Sequence, residues 1–336
     1  MTLISLGDMA QTFTMRRLTS GVKQEARLAG QELVTGRSVD ISKKLKGELS
    51  HLTGIEASLS RLKGYRFATD KAVLTANAMQ SVFGHIDRIT DGLGPSLLHT
   101  GTLQGTRTLD AIASDAAGKL DSVLSALNTK LGDSALFAGI ATDGAAVTTS
   151  DVLLTALEAS LAASGATTAF DINTTVEAWF ASPTGFAVIG YSGSSGAGPT
   201  AISNDDKVDL AITAADPALR DTVKSLALVA LIDRKTAVTD VNVGAELARL
   251  AGTSLLQNHT DRAVLAGRLG LAQARIDQAQ TRNAAEDSML QLARSDLIGI
   301  DPYEAATRME AAQTQLETLY SVTARLSRLS LVDFLR

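Results

Sequence analysis

Apolar residues recur every three or four positions over most of the chain, and that spacing predicts amphipathic helices. It is clearest near the C-terminus, where Met309, Ala312, Leu316, Leu319, Val322, Leu326, Leu329 and Val332 form one stripe. Arg308, Gln315, Glu317, Arg325 and Arg328 take the other faces. Asp301, Pro302 and Glu304 supply a cap, a first-turn proline and a first-turn carboxylate, so the helix starts there. Leu331, Phe334 and Leu335 carry apolar surface to the last residue, where chains more often fray into polar residues, so this end needs a covering partner. A candidate in the same chain is the segment 11–34, with Phe13, Leu18, Val22, Leu28 and Leu33.

Gly36 is placed to stop that first helix. A second pattern, from Leu52 through Leu59, Leu62, Met79, Phe83 and Ile86 to Leu93, holds its spacing over roughly 45 residues, or about 68 Å at ~1.5 Å per residue. A length of that order predicts coiled-coil-like packing, ended by Gly92, Gly94 and Pro95. A third helix is expected over 107–131. After Leu136-Phe137-Ala138-Gly139 the texture changes to Gly, Ser, Thr and Ala until about residue 237. This stretch holds expected strands at 186–191 and 207–213, expected helices at 151–163 and 217–232, and a run at 190–198 that reads as flexible on composition. The long-helix pattern returns at Val243 and closes at Gly299, its stripe interrupted by Ser254, Asn258, Asn283 and Glu286 in the way polar residues fix register. The prediction is a mainly α fold: an elongated out-and-back helical rod, a coiled-coil-like bundle of N- and C-terminal helices, with a small mixed α/β insert at the far end. Its expected domains are 1–47 with 300–336 for terminal assembly, 48–140 with 238–299 for the rod, and 141–237 for a variable insert.

Composition narrows the function. Hydrophobic residues make up 45% of the chain but aromatic ones only 4%, which leaves few rings to floor a ligand pocket. A net charge of -5 with interspersed signs carries no basic stripe for nucleic acid. With no cysteine, disulfides and thiolate chemistry are excluded. The longest tight apolar run, Leu226 to Ile232, is too short to span a bilayer, so no membrane insertion is expected. Met1 to Gly7 lacks the basic and apolar regions of a cleaved signal peptide. Phosphate-cradling loops and zinc-protease motifs are absent, and no serine between Gly190 and Gly196 has nucleophile-elbow spacing. His51, His85, His99 and His259 stand singly, and Asp205-Asp206 and Glu286-Asp287 are adjacent rather than convergent carboxylates. No enzyme, cofactor or metal site is expected. The apolar stripes remain: those at Leu265, Leu269 and Ile276 read as subunit core, while those at the C-terminal end read as contacts between subunits.

Tyr320, Thr323, Leu326, Ser327, Leu329, Ser330, Leu331, Phe334 and Leu335 resemble the terminal pattern of the flagellin superfamily, alternating Leu and Ser before a final aromatic and leucine. Leu136-Phe137-Ala138-Gly139 with Thr142-Asp143 resembles the phenylalanine-x-glycine turn of that superfamily's hook-associated junction branch. One departure stands at Thr35-Gly36-Arg37-Ser38-Val39-Asp40, where members commonly carry Ser-Gly-x-Arg-Ile-Asn and then an acidic pair; here Ser42-Lys43-Lys44 follows. The resemblance covers about residues 1–140 and 240–336. It implies a structural component of the bacterial flagellum, extracellular, exported without a cleaved signal peptide, that joins hook to filament as a homo-oligomeric ring. The implied partners are other copies of the chain, a neighbouring hook-associated protein, flagellin, and an export chaperone on the C-terminal helix. The implied assembly residues are Leu18, Val22, Leu28 and Leu33 opposite Leu316, Leu319, Leu326, Leu329, Leu331, Phe334 and Leu335. A flagellin filament subunit and an unrelated coiled-coil adaptor are the alternatives.

Overall fold

Helix boundaries follow the capping signals closely. In the computed structural model, which describes residues 6–103 and 106–334, α1 spans Leu6–Thr35, α2 Ile41–Lys44, α3 Ser50–Thr90, α4 Leu93–Leu103 and α5 Thr106–Leu127. The two-residue strands β1 (Lys130–Leu131) and β2 (Ser134–Ala135) pair antiparallel, and α6 (Ser150–Ser164) and α7 (Ala169–Ala181) follow. A π-helical turn at Phe186–Gly190 leads to a second antiparallel pair, β3 (Thr200–Ala201) with β4 (Lys207–Val208). The chain ends with α8 (Pro217–Arg234), α9 (Val241–Ile298) and α10 (Pro302–Phe334). The fold is therefore mainly α, as the periodicity predicts. Gly36, at φ 66°, closes α1 in the left-handed region. Asp216 caps α8 through the Ala218 N–H, with Pro217 at the first helical position.

Three local expectations are corrected. Gly92 and Pro95 end α3 but also open α4, because a proline in a first turn removes an N–H that has no helical partner. Residues 169–181, rich in small and β-branched side chains, form a helix, capped by Thr168, that the periodicity did not single out. The apolar run at 186–191 is not a strand. Phe186 stacks on Phe180 with ring centroids 5.1 Å apart, which winds the backbone into the π turn. A Cβ at Gly185 would lie 2.0 Å from the Trp179 carbonyl oxygen, and one at Gly190 2.3 Å from the Phe186 ring, so only glycine fits either end.

The chain divides into two compact units, residues 1–63 with 284–336 and residues 64–283. In the second unit α5 packs along α8, and Leu226 to Ile232 of α8 are buried on every face, which accounts for the longest apolar run in the sequence. α6 and α7 pack on each other and on α8. Around them lie Phe83, Leu97, Leu120, Leu127, Phe137 and Leu153, all essentially inaccessible to solvent. Leu265 and Leu269 of α9 belong to this same core.

A polar seam runs through it. Arg262 of α9, with 1% of its side chain exposed, donates from Nε to Asp87 at 2.9 Å, from Nη1 to the Thr222 hydroxyl at 2.7 Å and from Nη2 to the Thr90 hydroxyl at 3.0 Å. One turn earlier Asn258 donates to the Asp221 carbonyl at 2.8 Å and to Ser225 at 3.0 Å, and Ser225 in turn donates to Ser254 at 2.9 Å. Asn283 donates to the Ile202 carbonyl at 2.8 Å. Three of the polar interruptions in the α9 stripe thus have hydrogen-bond partners, Asn258 and Asn283 buried and Ser254 half-buried, and a one-residue slip would leave each unpaired, while Glu286 is exposed.

The stretch 190–198 is tied down rather than loose. Ser194 N–H donates to the Ala138 carbonyl at 2.9 Å, Ile140 N–H to Ser195 at 3.1 Å, and the Tyr191 hydroxyl to Ser194 at 2.6 Å. A Cβ at Gly139 would lie 2.3 Å from the Ser195 carbonyl oxygen and one at Gly193 2.6 Å from that of Ala138. Glycine serves close backbone approach here, which composition alone cannot distinguish from flexibility. Phe137, in the middle of the turn, is fully buried with its ring centroid 5.9 Å from that of Phe83.

Candidate assembly surface

In the first unit α1 packs along α10. The contact face is narrow and made of small residues: Val22 and Ala29 on α1, and Ala305 and Ala312 on α10, are buried. Met309 Sδ would lie 3.6 Å from a Cβ at Gly30, so the two backbones approach closely there. Leu28, Leu33, Leu316 and Leu319 flank this line half-buried, and Leu18 is exposed. The α10 backbone is helical through Leu326, Leu329, Leu331 and Phe334, whose side chains lie outside the described residues, as does Leu335 altogether. Lys23 sits over the Tyr320 ring at 5.5 Å, a cation–π contact across the pair.

One buried charge closes the base of the pair. Glu32, 6% exposed, accepts from Arg308 Nη2 at 2.7 Å through Oε2, and from Val39 N–H at 3.0 Å and the Ser38 hydroxyl at 3.3 Å through Oε1. Burial pushes its carboxyl upward, but the Val39 N–H, Arg308 and Ser38 outweigh it, and the net effect is a carboxyl held below its ordinary 4.5. Beside it the segment after α1 pairs with the turn between α9 and α10. Ser38 N–H donates to Ile298 at 2.8 Å, Ile300 N–H to Gly36 at 3.1 Å, and the Lys44 ammonium reaches the Gly299 carbonyl. The 35–40 stretch that departs from the common superfamily pattern is therefore half of a backbone clasp. The apolar periodicity passed over Glu32 as an interruption. The available signal was a carboxylate on the face of Val22 and Ala29, one turn before the stop at Gly36.

The outward faces of this unit carry large apolar side chains. Phe13 is 68% exposed, Tyr303 80% and Val34 87%, with Leu18, Val39, Leu292 and Tyr320 also open. No single exposed residue calls for explanation, but several on two paired helices exceed what a solvated pair needs. The candidate chemical residues gather no site. His51, His85, His99 and His259 are all exposed, and among the described residues no group of three potential metal ligands converges. Asp206 pairs with Arg282, and Asp287 accepts from Gln291 one helical turn away.

Residues 234–335 match the family model described as the bacterial flagellin C-terminal helical region. That span takes in α9 and α10, so the C-terminal third of the chain is similar to the flagellin helical region. A solved structure described as a proposed flagellar hook-associated protein from Vibrio parahaemolyticus shares the fold, with a TM-score of 0.52 and 13% identity, over 73% of this chain and 95% of that one. No curated protein matches. The matched region is similar to the flagellin C-terminal helices, and the solved structure shows a shared fold.

Proposed function

We propose that the chain is the junction subunit between hook and filament, flagellar hook-associated protein 3, acting as a ring whose inner wall is made by the terminal helices. The observation that carries the reading is the α1–α10 pair: a thin buried seam flanked by exposed Phe13, Leu18, Val34 and Tyr303 on helices that lie inside, or pair with, the flagellin-type region. Such helices gain most by packing against copies of themselves. The Leu136–Gly139 turn, braced by Phe83 and by residues 194–195, supports the junction branch over the filament subunit. On this reading residues 1–47 with 300–336 are the assembly domain, 48–140 with 238–299 the rod and 141–237 the variable insert. Leu316, Leu319, Leu326, Leu329, Leu331, Phe334 and Leu335 then meet Leu18, Val22, Leu28 and Leu33, within and between subunits. An export chaperone holds the C-terminal helix beforehand.

The second reading, a filament subunit, draws on the flagellin description of the matched region itself. Immunogold labelling of whole cells with an antibody against residues 141–237 separates the two. Gold in a narrow band at the distal end of the hook is the expected result. Gold along the whole filament would make the chain a flagellin, and unlabelled flagella would overturn both readings.

A further inference from the structure

Within the second unit, the β3–β4 hairpin and the segment after it lie along α9 and leave a groove between them. The hairpin is fixed in place: Ile202 and Val208 are buried with Ala272, Ile276 and Ala279 of α9, Asn283 donates to the Ile202 carbonyl at 2.8 Å, and Arg282 pairs with Asp206. The groove is thus built before anything enters it. It has two parts, of about 290 Å³ and about 430 Å³, and Arg275 lines both. We propose that this groove binds an acidic polysaccharide, a polymer of uronic acid sugars, with Arg268 and Arg275 holding its carboxylates.

The α9 wall supplies the cations. Arg268, Arg275 and Arg282 recur every seven residues, which sets them on one face of the helix, about 10.5 Å apart at ~1.5 Å per residue. Arg282 is engaged with Asp206, whereas Arg268, Arg275 and Lys207 have no ion-pair partner among the described residues. A guanidinium offers a planar fork of two N–H donors that matches a carboxylate. In a twofold polyuronate chain alternate carboxylates face the same side, one disaccharide apart, a repeat comparable with the arginine spacing. Between the arginines, Val208, Leu269 and Ala272 form a buried apolar floor that suits the C–H face of a sugar ring.

The hairpin wall selects among anions. Asp209 accepts from Ala211 N–H at 2.8 Å and Asp216 from Ala218 N–H at 3.1 Å, each through Oδ1. Their second oxygens have no partner among the described residues, so they accept from a ligand that carries donors. A uronate brings a carboxylate for the arginines and hydroxyl donors for the aspartates on one ring. A polyphosphate brings acceptors alone, and Asp206, Asp209 and Asp216 oppose it. Nucleic acid lacks a platform here, because no aromatic side chain lines either part for a base to stack on. An acidic helix, about 10 Å across, lies over such a groove rather than in it and turns its charges toward those same aspartates.

Calorimetric titration of the full chain with an oligomannuronate tests the proposal, with polyphosphate and a neutral dextran oligomer of similar length as comparisons. Saturable binding of the uronate is expected, with weaker binding of polyphosphate and none of dextran. Arg275→Gln, at the shared position, should weaken uronate binding about tenfold or more, as expected for a lost hydrogen bond to a charged group, and Arg268→Gln by a similar factor. Both arginines are exposed and unpaired, so neither substitution disturbs the fold. Arg61→Gln, at an exposed position of α3 outside the groove, should leave binding unchanged.

Asp209→Asn gives the sign. The amide keeps an oxygen for Ala211 N–H but turns a donor toward the ligand, so uronate binding should weaken. An anion held by charge alone would instead bind more tightly once that carboxylate is gone. Absence of uronate binding, polyphosphate binding as tight as uronate, an equal loss in Arg61→Gln, or a gain in Asp209→Asn would each overturn the proposal. The titration uses the free chain, so its outcome is independent of whether the subunit sits at the junction or along the filament.

Discussion

The two compact units bury different things. Residues 64–283 enclose Phe83, Phe137, Leu120, Leu127, Leu153 and the whole circumference of α8, with every buried polar side-chain atom of the seam partnered. Residues 1–63 with 284–336 close α1 on α10 through alanines, one valine and one ion pair, and leave Phe13, Val34 and Tyr303 open. One unit holds the apolar area and polar satisfaction of a finished domain; the other, on the function proposed above, holds half of a helical wall. A monomer built this way can be stable in one part and conditional in the other.

The comparison breaks most visibly at assembly. Leu326→Asp with Leu329→Asp should abolish incorporation into the flagellum, because each charge would have to be desolvated in a packed wall. The lone tryptophan, Trp179, lies in residues 64–283 and should report an unchanged unfolding midpoint in that variant. Normal structures containing the double variant would remove the C-terminal helix from the wall.

Within the finished unit, Asp87→Ala should cost about 3 kcal/mol, the low end for removing one partner of a buried ion pair, since Asp87 is itself partly exposed. Trp179 fluorescence in a denaturant titration measures it, and an unchanged midpoint would show that the Arg262 seam holds no register. Val22→Ala is the smallest perturbation, about 1.5 kcal/mol for two methylene-sized groups. It should loosen the α1–α10 pair, seen as reduced helicity before the Trp179 transition, and leave that transition in place. A shift of both together would mean that the two units unfold as one.

Much of this was legible in the sequence because the helices are long and their stripes regular. Of the α9 interruptions that read as register-setting, Ser254, Asn258 and Asn283 prove to be hydrogen-bonded, with Asn258 and Asn283 buried, while Glu286 is exposed. The capping of α10 by Asp301 and the stop at Gly36 were equally plain. What stayed hidden depends on approach distances that composition does not carry. Gly139 and Gly193 read as loose chain, but they admit two backbones at a separation no Cβ allows. Phe186 reads as strand by its neighbours and winds instead around Phe180. Arg262 and Glu32 interrupt apolar faces in the same way, and only the partners at Asp87 and Arg308, 175 and 276 residues away, distinguish them from solvated charges.

The most direct test of the two-unit account is amide hydrogen exchange on the free full-length chain, followed by exchange on the assembled structure. The account predicts that amides of α1 and α10 exchange orders of magnitude faster than those of α5 and α8 in the free chain, and become protected on assembly. Equal protection of all four helices in the free chain, unchanged on assembly, would contradict it.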